Sequence, residues 1–90
     1  PPLAADITPP KALKSHTCAF PMTQPGSAEF VFAIATDGSV KDLRIYRASG
    51  DRTTVQLVQN CVAKFRYAPA TKDGQPIEVP WWVAVSARFD

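Results

Sequence analysis

The segment Ser27–Arg47, SAEFVFAIATDGSVKDLRIYR, decides the fold of this 90-residue chain. Its first part, Ser27–Ala35, alternates so that Phe30, Phe32 and Ile34 share one face of a predicted strand. An apolar alternation with a period of two residues is typical of a β-strand. The opposite face carries smaller apolar residues, so we expect both faces to be partly covered.

The remainder of the segment predicts a hairpin. Thr36–Ser39 contains an Asp-Gly pair, which tight hairpin turns favour because their central residues need positive φ. The return strand Val40–Arg47 places Leu43 and Ile45 on one face. This apolar-in, polar-out pattern is typical of antiparallel sheets. The opposite face carries Asp42, Arg44 and Tyr46.

A helix is predicted to follow the hairpin. It begins near Thr53, because Thr53 and Gln56 fit a capping box. It has to end before Pro69, whose ring would clash with the preceding turn. Apolar residues at helical spacing form one stripe that can pack on a sheet. The stripe consists of Val55, Leu57, Val58, Cys61, Val62 and Phe65.

The last predicted strand is Pro76–Phe89, which follows a second Asp-Gly turn at Lys72–Gln75. Pro80 lacks a ladder donor and therefore belongs at the start of the strand or on an unpaired edge. Together the elements predict an α+β fold, a two-layer sandwich. Along the chain the elements follow one another as strand, strand, helix, strand. The three strands form an antiparallel sheet, and the one main helix packs on one face of it. Trp81, Val83, Val85, Ala87 and Phe89 share one face of the last strand, and Trp82, Ala84, Ser86 and Arg88 the other.

Composition limits the size and the partners of the protein. Apolar residues make up 46% of the chain and the formal net charge is +2, which indicates one globular domain with no clustered basic surface for nucleic acid or a membrane. No segment approaches the roughly 20 apolar residues that span a bilayer. Because the chain starts in a Pro-rich stretch without Met, we expect the folded end of a longer protein. We therefore predict a linker or N-terminal extension at residues 1–17 and a domain at 18–90.

The two cysteines, Cys18 and Cys61, favour a disulfide by their even number and spacing, and two free thiols are the alternative. A disulfide would close a loop of about 44 residues, worth about 4 kcal/mol in the chain-entropy model. It would also require an oxidising compartment. With only His16 as a further ligand, a closed zinc site is excluded.

Catalytic and nucleic-acid-binding functions lack support in the sequence. His16 is the only histidine, Asp37 and Asp73 are explained by turns, and no glycine-rich phosphate-binding motif occurs. We therefore predict a protein that is not an enzyme and that binds no cofactor or metal. An exposed sheet face of Arg44, Tyr46, Trp82 and Arg88 could stack bases, but Asp42, Asp73 and Glu78 would dilute its charge, so we expect no nucleic-acid partner.

Several segments resemble one known family in their order and spacing. Thr36–Ile45 is similar to the "dGrVsdvrV" hairpin of TonB C-terminal domains, and Ala48–Gly50 resembles the "SSG" that follows it. Phe65–Ala70 and Asp73–Ile77 resemble the "wrFrPA…dGkpV" run of the same family. The final segment, Val83–Phe89, resembles its last strand.

The resemblance implies a function as well as a fold. TonB-type proteins are tethered to the inner membrane and cross the periplasm, and their C-terminal domain docks on outer-membrane transporters. They pass on energy from a proton-driven motor complex that the N-terminal part contacts. The transporter's short "box" segment adds as a strand beside the last strand of the domain. The implied partner-binding residues are Val83, Ala84, Val85, Ser86, Ala87, Arg88 and Phe89, with Thr17 and Phe20 before the first strand.

The chain departs from the family pattern before its first long strand. Cys18–Pro21 stands where the family has its "YP" motif, with Phe20 in place of Tyr. Met22–Gly26 is shorter than usual, so we expect the family's first helix to be missing or reduced to a turn. A bridge from Cys18 to Cys61 would then hold the N-terminal segment on the predicted helix.

Two further interpretations follow from the resemblance. The alternative function is a periplasmic adaptor or structural envelope domain, TolA-like or a stand-alone TonB-like protein, with another protein partner. A homodimer is a further expectation, because an unprotected edge strand can pair with its own copy.

Overall fold

The computed structural model describes residues 4–13, 18 and 26–87. In this part of the chain, one α-helix and eight strands follow one another. In chain order they are β1 (Ile7–Thr8), β2 (Lys11–Leu13), β3 (Gly26–Ile34), β4 (Val40–Ser49), α1 (Arg52–Val62), β5 (Arg66–Ala68), β6 (Ala70–Lys72), β7 (Gln75–Ile77) and β8 (Val79–Ala87).

The main sheet consists of β3, β4 and β8, with β3 in the centre and both neighbours antiparallel to it. The pairing of β3 with β8 runs without a register shift from Gly26 opposite Ala87 to Ile34 opposite Val79. The pairing of β3 with β4 contains two register shifts. The predicted three-stranded antiparallel sheet is thus confirmed.

The hydrophobic core lies between α1 and one face of the main sheet, which we call the inner face. Phe30 and Ile34 of β3 are fully buried there against Val58 and Val62 of α1. Burying a side chain of this size contributes about 1.5–3 kcal/mol. The two-layer α+β sandwich predicted from the sequence is therefore confirmed. The other buried apolar residues are Ala28, Phe32, Phe65, Tyr67, Ala70 and Val79.

α1 begins close to the predicted position, but its N-cap differs from the prediction. The helix begins at Arg52, because Asp51 is the N-cap and its Oδ1 accepts a hydrogen bond from Thr54 N at 2.7 Å. The predicted capping box at Thr53 is wrong, since a carboxylate two residues earlier already caps the first turn. The buried stripe includes Thr54, whereas Leu57 remains 38% exposed. At about 100° per residue, Leu57 lies on the rim of the face that contacts the sheet.

The two Asp-Gly turns have different geometries. At the first turn, Gly38 has φ +86°, whereas Asp37 is not among the described residues with positive φ. Gly38 N donates to Ala35 O at 2.8 Å, which makes a three-residue hairpin loop rather than the predicted two-residue turn. At the second turn, Asp73 and Gly74 both have positive φ and join β6 to β7, as a tight Asp-Gly turn requires.

The long strand predicted at Pro76–Phe89 is two strands. The chain leaves β7 at Ile77, and β8 begins at Val79. β7 pairs with β6, whereas β8 pairs with β3 in a different sheet. The prediction of one continuous strand is wrong, because alternation in sequence does not reveal a change of pairing partner.

The N-terminal part of the chain contacts the domain. β1 pairs with β6 and β2 pairs with β5, and both lie within the predicted linker or extension at residues 1–17. Cys18 and Cys61 form the predicted disulfide, with their Cα atoms 5.9 Å apart. The predicted loss of a helix at Met22–Gly26 concerns residues that, apart from Gly26, lie outside the described part. No helix in the described ranges is long and apolar enough to cross a membrane.

Two aspartates make the stability of the domain depend on pH. Hydrogen bonds from the side chain and backbone N–H of Thr54 hold the pKa of Asp51 below its ordinary value of 3.8. Hydrogen bonds from the hydroxyl and N–H of Ser39 lower the pKa of Asp37 in the same way. Since the folded state favours the ionised form, the stabilisation is fully present above pH 3.8 and is lost as the pH falls through the depressed pKa.

We expect Asp51→Asn to reduce the loss of stability in acid while changing stability little at neutral pH. An asparagine amide oxygen still caps the helix but does not titrate. Urea unfolding at pH values between about 5 and 2 measures the free energy of unfolding of both proteins. Equal pH dependence of variant and wild type would contradict a contribution from the Asp51 carboxylate.

Candidate functional site

The side of β8 that faces away from β3 is the strongest candidate site. We call it the open edge, because no strand within residues 4–13, 18 and 26–87 pairs with it. Five of the predicted partner-binding residues, Val83 to Ala87, lie on this strand. The other predicted partner-binding residues, Arg88, Phe89, Thr17 and Phe20, lie outside the described residues.

The hydrogen bonds of the hairpin fix which backbone groups point to the open edge. Ala35 N donates to Ser39 O at 2.9 Å, toward the β4 side of β3. Because backbone groups alternate along a strand, Ala33 N also points to β4 and not to β8. Ala33 lies opposite Pro80, so the position of the missing proline N–H faces the open edge. Pro80 therefore removes no bond from the sheet, as the sequence predicted.

The same alternation gives the directions of the other backbone N–H groups of β8. The N–H groups of Trp82, Ala84 and Ser86 point to the open edge, because each is an even number of residues from Pro80. These donors and the carbonyl groups beside them are what an extended peptide pairs with when it joins a sheet. The open edge thus offers a regular ladder along an uninterrupted strand.

The outer edge of β4 is less suited to strand addition. Its two register shifts interrupt the ladder, and Asp42 lies at one of them with φ +57°. Charged side chains also follow the strand, among them Lys41, Arg44 and Arg47. Bulges and charges are the usual devices that protect an edge from pairing. Of the two edges of the main sheet, only that of β8 is regular.

The side chains of β8 divide between the two faces of the sheet. Val83 and Val85 are half-buried and pack against the core, together with Trp81. Trp82, Ala84 and Ser86 are exposed on the opposite face, which we call the outer face. Apolar side chains therefore stabilise the domain while backbone groups of the same strand stay available at the open edge. The packing of β8 against the core and its open edge therefore involve different atoms of the strand.

Within the described ranges, no group of three or more His, Cys, Asp or Glu side chains could hold a metal ion. Two of the acidic side chains there form ion pairs with basic side chains. Arg47 Nε lies 2.7 Å from Glu29 Oε2, and Lys41 Nζ lies 3.1 Å from Glu78 Oε1. Both ion pairs are solvent-exposed and contribute about 0–1 kcal/mol each.

Comparison with known families identifies the family of the chain. Residues 19–90 match the sequence profile of the family described as Gram-negative bacterial TonB protein C-terminal. The chain belongs to this family. The resemblance noted in its hairpin and in the segments that follow is thereby confirmed, and the protein is a TonB-type periplasmic domain.

A solved structure shows the same fold as this TonB-type domain. The solution NMR structure of the Pseudomonas aeruginosa TonB C-terminal domain superposes with a TM-score of 0.72 over 97% of this chain and 90% of that chain. The two sequences are 20% identical, so the likeness concerns the fold. No curated protein sequence matches the chain significantly.

Proposed function

We propose that this TonB-type domain docks on outer-membrane transporters by adding their box peptide as a strand to the open edge of β8. Its full-length protein is tethered to the inner membrane, and its N-terminal part contacts a proton-driven motor complex. Docking then passes energy from that complex to the transporter. The domain acts through protein contacts, without catalysis or a cofactor.

One observation carries the proposal: the open edge of β8 is regular, and the other edge of the main sheet is not. Main-chain hydrogen bonds supply affinity in strand addition, and side-chain contacts supply specificity. β8 spans nine residues, from Val79 to Ala87. A peptide of about five to seven residues can pair along such a strand, at about 3.3 Å per residue.

Backbone chemical shifts in a titration with transporter box peptides test the proposal. We expect the largest changes at the amides of Trp82, Ala84 and Ser86, because these N–H groups would gain a partner. Hydrogen exchange at the same three amides should slow on binding, whereas the amides of Val83 and Val85 already face β3 and should change less. No shift along β8 at millimolar peptide would overturn the proposal and favour a periplasmic adaptor with another protein partner.

Replacing Ala84 with proline should weaken peptide binding roughly tenfold. The substitution removes one donor from the open edge and places a ring where the added strand would lie. It leaves the β3–β8 ladder intact, because Ala84 N does not face β3. Calorimetric titration of both proteins with the same box peptide gives the ratio of dissociation constants. Equal affinities would show that the peptide does not pair with β8.

The same variant requires two controls. Circular dichroism and the unfolding midpoint establish that Ala84→Pro is folded. A second variant, Ser86→Ala, changes an exposed side chain of β8 but keeps its backbone N–H, and it should bind normally. Sedimentation at the titration concentration shows whether a second copy of the chain occupies the open edge, since a homodimer formed there would compete with the peptide.

A further inference from the structure

The outer face of the main sheet is organised in rows that run across its three strands. Trp82 of β8 lies opposite Val31 of β3, which in turn lies opposite Arg44 of β4. Among the outer-face rows of the described sheet, only this middle row carries bulky apolar side chains, those of Val31 and Trp82. One neighbouring row runs from Pro80 of β8 through Ala33 of β3 to Lys41 of β4. The other runs from Ala84 through Glu29 to Arg47.

The middle row forms the floor of an open groove of about 780 Å³. Trp82 is 51% exposed, Val31 is 37% exposed, and Tyr46 beside them is 65% exposed. Three large apolar side chains thus share one exposed face. Contiguous exposed apolar surface of this kind marks interaction sites on soluble proteins.

The charges around the groove are mostly compensated. The carboxylates of Glu29 and Glu78 line it, but each lies within an ion pair, with Arg47 and Lys41 respectively. Arg47 also stacks over the Tyr46 ring, with its guanidinium carbon 5.3 Å from the ring centre. The groove therefore offers apolar and aromatic surface beside Trp82, with little net charge to attract an ionic ligand.

The groove is continuous with the open edge, since Trp82 belongs to both. Its N–H faces the edge and its side chain lies on the outer face. A strand added there extends every row by one residue, because side chains of neighbouring strands lie beside one another at about 5 Å. One peptide side chain must therefore lie directly beside Trp82. Peptide residues two positions away lie beside Pro80 or Ala84, which offer less surface.

We propose that Trp82 selects peptides that carry a large apolar, preferably aromatic, side chain at the single position beside it. This inference rests on the proposed strand addition and deepens it. The backbone ladder holds the peptide, and the Trp82 row fixes its register. Cross-strand pairs of aromatic residues are more stable than pairs with alanine, which supplies the discrimination. The occupant of the groove is thus a side chain of the docked transporter peptide.

A double-mutant cycle tests the proposal. The probes are one box peptide that binds in the shift titration and its variants with Phe or Ala at each position in turn. We expect the Phe peptide to bind about fivefold more tightly than the Ala peptide at one position, equivalent to about 1 kcal/mol. In Trp82→Ala this preference should vanish, and in Trp82→Phe it should largely remain. Positions two residues away should show no such dependence on Trp82.

Two further variants supply a control and a fluorescence probe. Leu57→Ala removes a partly exposed apolar side chain from α1, on the other layer of the sandwich, and should leave the peptide preference unchanged. Trp81→Phe leaves Trp82 as the only tryptophan of the chain, since the sequence contains two. The fluorescence of Trp82 in this variant should shift to the blue when the Phe peptide binds, and it should shift less when the Ala peptide binds.

The outcomes separate this inference from the function on which it rests. If no peptide perturbs β8, strand addition and selection by Trp82 both fail. If peptides bind but Trp82→Ala weakens Phe and Ala peptides equally, strand addition stands and selection by Trp82 is wrong. A preference that follows a peptide position on the inner face, beside Val83, would also overturn the role of Trp82.

Discussion

Replacing Gly38 with alanine is expected to destabilise the domain by about 3 kcal/mol. Gly38 is buried and has φ +86°, a conformation that costs an L-residue roughly 1–2 kcal/mol. An added Cβ would also overlap the carbonyl oxygen of Tyr67. To relieve the overlap the turn has to move, which disrupts the 3.0 Å hydrogen bond from Tyr67 N to Gly38 O, worth about 1 kcal/mol.

Gly74→Ala is the matched control, because it separates backbone strain from steric overlap. Gly74 also has positive φ, at +77°, but a Cβ there would meet nothing within 4 Å. We therefore expect a loss of only about 1–2 kcal/mol. Urea unfolding gives both values. If the two variants lose equal stability, the close contact of Gly38 with Tyr67 of β5 adds nothing to the free energy of unfolding.

Removing the disulfide is expected to cost about 4 kcal/mol. The bridge joins Cys18 to Cys61 across 43 positions of sequence, and closing a loop of this length restricts the unfolded chain strongly. A 90-residue domain has a small core, so this loss is a large part of its total stability. Cys61 lies on α1, so the bridge attaches the chain before β3 to the helix layer.

The double variant Cys18→Ala with Cys61→Ala measures this contribution by urea unfolding. Wild type in reductant should unfold at nearly the same urea concentration as the double variant, whereas the double variant should not respond to reductant. Mass spectrometry of unreduced wild type should detect no free thiol. Two free thiols, or equal stability of wild type and double variant, would contradict the structural role of the bridge.

The sequence predicted the parts of the fold that local patterns determine. Alternation in β3, with Phe30, Phe32 and Ile34 on one face, and the helical stripe that contains Val58 and Val62 identify the two layers and their contact. These patterns are informative because a buried face requires apolar side chains at a fixed period. The disulfide could also be predicted, because a chain with two cysteines allows only one pairing within itself.

Other features depended on contacts between distant segments. The cap of the helix was misassigned because Asp51 and Thr53 are both acceptable caps by residue type, and only the structure shows that Asp51 accepts the hydrogen bond from Thr54 N. The last strand was predicted as one element because β7 and β8 read as continuous alternation, although they pair with different strands. The hairpin loop at Gly38 has three residues and contacts β5, because Tyr67 N donates a hydrogen bond to Gly38 O.

The sequence by itself determined that this protein is a two-layer α+β domain of the TonB C-terminal family, because periodicity and short motifs are local properties. Tertiary structure decided which edge of the sheet is open and regular. β3 takes the central position, β4 acquires two register shifts, and β8 keeps an unbroken ladder whose donors at Trp82, Ala84 and Ser86 face outward. Strand order arises from packing between distant segments, and the local patterns that identify each strand do not specify it.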